Sequence, residues 1–100
     1  MATAKFLRED KSGKVDYSYI PELLPVFDRI MARFELGSRK YARLNWRNAN
    51  GPEHVKDLQR SLIRHTLQYL AGHQDDQHLD AVVLNAVMLM DLEEQHDSPR

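Results

Sequence analysis

Apolar residues recur along this chain at a spacing of three and four, the signature of helices that bury one face. Leu23, Phe27, Ile30 and Phe34 follow Pro21, a residue suited to a first helical turn, and Pro25 still lies near that turn. Gly37 reads as the stop. A short second helix is expected from Ser38 to about Arg47. "NANGP", Asn48 to Pro52, then reads as a turn with Pro52 at the first position of a third helix. Val55, Leu58, Leu62, Ile63, Leu67, Tyr69 and Leu70 give that helix a broad apolar face, closed by Gly72. After the connection "HQDDQ", Leu79, Val82, Val83, Ala86, Val87 and Met90 build a fourth helix ending near Glu94. The short connection makes the third and fourth helices antiparallel neighbours. The expectation is an all-α, irregular four-helix bundle with a flexible N-terminal arm. The arm spans residues 1–18, a single helical domain residues 19–95, and a frayed tail residues 96–100.

Composition narrows the class. A chain of 100 residues makes one domain with a modest core, which self-association would reinforce. Fourteen Lys and Arg against fifteen Asp and Glu leave a net charge of -1, which argues against a nucleic-acid polymer as partner. There is no Cys, so any metal must be held by imidazole or oxygen. No apolar run is long enough for a membrane span and the start lacks a secretion signal, so a cytoplasmic location is expected. The fourth helix is apolar over much of its circumference, pointing to burial on more than one side and to a homo-oligomer.

Against that neutral background, "GSRKYARLNWR" gathers Arg39, Lys40, Arg43, Arg47, Tyr41 and the only Trp, Trp46. Such a segment is either a helix with solvated cations and an anchored ring, or a grip for a flat phosphorylated molecule. In the second case Lys and Arg meet phosphate oxygens and the indole stacks on a base. His65 falls on the face of Leu58, Leu62 and Tyr69, where a hydrogen-bonded core role is the common one. Asn85 lies two turns after His78 among apolar residues; it either ties helices together or orients a ligand. His73, Asp75, Asp76, His78 and Asp80 crowd one connection. Their oxygens suit Mg²⁺ or Mn²⁺ and their imidazoles Zn²⁺ or Mn²⁺, although a solvated connection has the same composition. Asp28 and Glu35, seven apart with Ala32 between them, either face one cavity and help hold a cation or form a wet stripe.

Read together, "GKVDYSYIPE", "GSRKYARLNWR" and "LIRHTLQYLAG…D…HLDAVVLNAVML" resemble a mostly phage-encoded family described as the dATP/dGTP diphosphohydrolase N-terminal domain. The resemblance runs from about Gly13 to Leu92. Lys40-Tyr41, Asn45-Trp46, Arg64-His65, and His78 with Asn85 fall in register. It implies a helical protein that handles purine deoxynucleotides, distantly like the all-α MazG-type pyrophosphohydrolases, which hold Mg²⁺ with carboxylates and work as oligomers. The chain lacks the MazG-type Glu-x-x-Glu and Glu-x-x-Asp signature. It carries His73 where the family tends to have Glu, and Ala81 where a second His is common.

Two functions follow as expectations. An enzyme would split a purine deoxynucleoside triphosphate with Mg²⁺ or Mn²⁺ held by Asp76 together with Asp28, Glu35 or Asp80. Lys40, Arg47 and Arg64 would steady phosphates, His65 or His78 would act as base or orienter, Trp46 would stack on the base, and Asn85 would meet its polar edge. A catalytically inactive protein would keep the nucleotide pocket and sequester its ligand, for example a host nucleotide signal.

Overall fold

The structure is a computed structural model that describes residues 13–48 and 51–96. Its elements are α1 (Tyr19–Glu22), α2 (Leu24–Lys40), a 3-10 turn at Asn45–Asn48, α3 (Gly51–Leu70) and α4 (His78–His96), with no strand among the described residues. The all-α class is as the periodicity predicts. Of the expected arm, residues 1–12 lie outside the described residues, as do Asp97–Arg100 of the expected tail.

The prolines divide the first helical segment. Pro25 has no N–H to return to the carbonyl four residues earlier, so α1 closes at Leu23 and α2 restarts with Pro25 in its first turn. The backbone N–H groups of Leu23 and Phe27 donate across this joint, to the carbonyls of Tyr19 (2.9 Å) and Leu23 (3.0 Å).

Two expectations are corrected between α2 and α3. Gly37 does not stop α2, which continues to Lys40, and no second helix forms over Ser38–Arg47. A helical Gly costs only about 1 kcal/mol relative to Ala. Here the Glu35–Arg39 ion pair (3.0 Å) bridges the turn that contains it. Arg39 and Lys40 then sit in the last turn, where cations face the helix carbonyls favourably. The chain reverses instead at Leu44, whose φ of 58° is left-handed. Only one 3-10 turn follows.

α3 ends as Gly72 predicts. With φ +82°, Gly72 donates its N–H to the Tyr69 carbonyl (3.1 Å), and His73 donates to that of Gln68 (3.0 Å). These are the two bonds of a Schellman stop. The chain folds back into α4, which packs on α3 more extensively than any other pair of elements. The pairs His65–His78 and Ser61–Asn85 run in opposite directions along the two helices, so they are antiparallel.

α2 lies across the start of α4, where Arg29 bonds Asp80 and Arg33 bonds Asp76. The 3-10 turn returns the chain to the far half of α4. There the Trp46 Nε1–H donates to Asp91 (2.8 Å), Arg47 donates to both oxygens of Asp91 (2.7 and 2.6 Å), and the Trp46 ring tilts on Phe34 with centroids 5.5 Å apart.

The interior is small. Ile30, Ala81 and Leu92 are the buried apolar residues, and none of the described large side chains is fully buried. Ile63, Leu67 and Leu70 on α3, with Leu79, Val83, Val87 and Met90 on α4, stay exposed. No helix is long and apolar enough to cross a membrane among the described residues.

Candidate functional site

The buried polar residues concentrate where α3 hands over to α4. His78 is the first residue of α4 and 4% exposed; Asp80 and Asn85 are also buried. Burial of polar groups is costly unless each is bonded, and each of these is. The His78 Nε2 lies 2.8 Å from Asp75 Oδ1, and its Nδ1 lies 2.8 Å from Nδ1 of His65 on α3. Asp80 is bonded by Arg29, and Asn85 donates to Ser61 Oγ on α3 (3.0 Å).

Asp76 occupies the last residue but one before α4. Its Oδ1 accepts the Gln77 N–H (2.6 Å), and its two oxygens accept from Nη1 and Nη2 of Arg33 (3.2 and 3.3 Å). The Arg33 bonds, then the Gln77 bond, hold the Asp76 carboxyl below its ordinary value. The His78 bond does the same for Asp75. Burial, and after it the neighbouring Arg64 charge, pushes the His65 imidazole down from 6.5, so it is neutral at pH 7. His65, His78 and Asp76 each present a ligand atom within 4.8 Å of the other two, the one group of this kind among the described residues.

Beside this cluster lies an open cavity of about 250 Å³, lined by Arg29, Tyr69, Gly72, His73, Gln74, Asp76, Gln77, His78 and Leu79. Arg29 is the contribution of α2 to that lining. Arg29, Arg33 and Lys40 are spaced by four and seven residues and share a face of that helix. Lys40 sits about 10 Å beyond Arg33 along the axis, with its ammonium 5.8 Å from the Tyr41 ring centroid.

Of the residues singled out in the sequence, His65, Asp76 and His78 converge, and Asp80 joins their edge through Arg29. Asp28 and Glu35 share a different face of α2 from Arg29 and Arg33, and Glu35 is occupied by Arg39. Trp46 and Arg47 are tied to Asp91 rather than presented together with Lys40, and Asn85 bonds Ser61. Asn45, Tyr41, Lys40 and Arg64 are exposed.

Arg29, Arg33 and Asp91 were not legible as site or anchor residues. The two arginines did carry a signal: spaced by four, each directly precedes or borders an apolar position of the inward stripe of α2, Ile30 or Phe34. Asp91 carried none.

No curated protein and no solved structure matches the chain. A family model does, over residues 5–99, and its description is "dATP/dGTP diphosphohydrolase, N-terminal". That match takes in the α2 basic edge, the His65–His78 pair and the acidic connection alike, and the chain belongs to this family.

Proposed function

We propose that this protein binds a purine deoxynucleotide in the cavity at the α3–α4 junction and hydrolyses it as a dATP/dGTP diphosphohydrolase-like enzyme of the host cytoplasm of a phage. The observation that carries the reading is a cavity lined by Arg29 of α2, the His73 and His78 imidazoles and the Asp76 carboxylate, with His65 bonded to His78 beside it. Arg29 is the cation on the cavity wall and meets a phosphate there, while Lys40, without an ion-pair partner among the described residues, extends the basic edge beyond it. Arg33, locked bidentate on Asp76, fixes that carboxylate and offsets phosphate charge. Tyr69 and His73 supply ring surface on the cavity wall for the base. The His65–His78 pair, held 2.8 Å apart beside the cavity, orients the groups that meet the nucleotide there.

A divalent ion supplies charge neutralisation to phosphoryl chemistry. The carboxylate set first expected for Mg²⁺ does not assemble. Asp28 and Glu35 face elsewhere, and Asp80 is held by Arg29. That observation favours a second reading, a protein that sequesters an intact nucleotide.

Incubation of purified protein with dATP or dGTP and Mg²⁺ or Mn²⁺ separates the two. The enzyme reading predicts pyrophosphate release well above that of Asp76→Ala. Recovery of stoichiometric, unbroken nucleotide supports sequestration. Failure to bind either nucleotide contradicts both.

A further inference from the structure

We infer that His65 Nδ1, His78 Nδ1 and one Asp76 oxygen form a three-donor site for a divalent transition ion, with Asp75 as its orienting group. The inference deepens the proposed function by naming the ion's donors, and its test uses no nucleotide.

The tautomers follow from the bonds. Asp75 Oδ1 lies 2.8 Å from His78 Nε2, so that nitrogen carries the proton and His78 Nδ1 is left with its lone pair. A carboxylate behind an imidazole in this way is the usual outer arrangement of a metal-bound histidine. The free Nδ1 points at Nδ1 of His65, 2.8 Å away. The rings are tilted by 40° with centroids 5.0 Å apart, so they converge by their nitrogen edges rather than stacking. In the ion-free state a single proton on His65 Nδ1 bridges the two nitrogens. An ion entering between them displaces that proton, which moves to His65 Nε2, so that both rings bind as neutral imidazoles.

The third donor is on the same spot. Asp76 has an oxygen within 4.8 Å of both nitrogens. Arg33 takes one lone pair from each Asp76 oxygen and the Gln77 N–H takes the second of Oδ1, which leaves Oδ2 as the oxygen with a lone pair for an ion. Asp75 and Asp76 offset the charges of Arg33 and Arg64, so no excess of positive charge opposes a cation there.

The site is held from two sides. His65 is on a long helix that ends in the Schellman stop, and His78 opens the next helix. The adjoining cavity leaves coordination positions for water or substrate oxygen, as an open catalytic site requires. Two nitrogens with one oxygen suit Mn²⁺, Fe²⁺, Co²⁺ or Zn²⁺. They are a poor set for Mg²⁺, which prefers oxygen throughout.

The test is titration of the chelator-treated full chain with Co²⁺ alone, read by visible absorption, and with Zn²⁺ and Mg²⁺ by calorimetry. The expected result is one Co²⁺ or Zn²⁺ per chain, bound about tenfold or more tightly than Mg²⁺. His65→Gln and His78→Ala should each weaken binding about tenfold or more, and Asp75→Asn about 10- to 100-fold. His96→Ala should leave it unchanged. Histidine NMR of the unaltered chain with Zn²⁺ should move the His65 and His78 rings, which guards against a variant that fails to fold. Zn²⁺ that leaves those two rings unmoved, or Co²⁺ held equally by folded His65→Gln, overturns the inference. Ion binding by a protein that the nucleotide incubation above shows to bind neither dATP nor dGTP sustains it while removing the nucleotide reading.

Discussion

The residues that stand out in the sequence play two kinds of role. Asn85, an amide in an apolar stretch, is buried because its Nδ2 finds Ser61 on the facing helix. Its burial was legible from its two-turn spacing after His78; its partner was not, since a Ser on an amphipathic helix gives no signal of its own. Asn85→Ala strands a hydroxyl in the α3–α4 seam and should cost on the order of 1–3 kcal/mol. At about 4–8 °C per kcal/mol for a domain of this size, thermal denaturation will detect it. Ser61→Ala combined with Asn85→Leu should cost less than the two single changes added, because neither polar group is then left alone. Strict additivity would show that the bond contributes nothing. His65 and His78 play the other role, facing each other as a polar pair beside a cavity. Each has apolar neighbours on its own helix, and their meeting depends on the sharp Gly72 turn that a spacing rule cannot measure.

Elements are joined at two polar pins, one at each end of α4. The first is Arg29 and Arg33 on Asp80 and Asp76. The second is Asp91, which holds both the Trp46 indole and the Arg47 guanidinium. This second pin explains why "GSRKYARLNWR" is not the helix its composition suggests. The segment leaves α2 at Lys40, reverses at Leu44 and turns Trp46 onto Phe34 and Asp91, so tertiary contacts override local propensity. Its cations consequently part company: Arg39 pairs with Glu35, Arg47 with Asp91, and Lys40 stays on the α2 edge. Asp91→Ala strands a half-buried indole N–H and should lower stability by on the order of 1 kcal/mol. The Arg47 bond, then the Trp46 bond, hold the Asp91 carboxyl below its ordinary 3.8. Its stabilising contribution is therefore complete above that pH and is lost as acid protonates it. Denaturant melts from neutral pH down into the acid range should show wild type and Asp91→Ala converging at the acid end. A gap that stays constant across that range would rule the pin out as a source of acid sensitivity.

On the scale of the molecule, the all-α class was readable because periodicity is a local property. Chain length pointed to a modest core, but which apolar stripes stay outside it was not readable. Only Ile30, Ala81 and Leu92 are buried among the described apolar residues, while stripes on α3 and α4 remain open to solvent. A domain of 100 residues with so little buried is marginal alone, and two copies pairing these stripes would supply the missing interior. The chain should run as a homo-oligomer by light scattering, with a melting temperature that rises with protein concentration. Val87→Glu, on the α4 stripe, should shift it toward monomer and lower that temperature. A wild-type monomer whose melting is independent of concentration would contradict this.

The proposed function belongs to the same scale. The family's description names dATP and dGTP, and the fold brings a cation, imidazoles and a cavity together at the α3–α4 junction. Backbone amide NMR mapping of dGTP added to the full chain tests that placement most directly. The largest shifts are expected on Arg29, Arg33, Gly72, His73 and Asp76–His78. Shifts centred on Trp46, Arg47 and Asp91, or none at millimolar nucleotide, would contradict it.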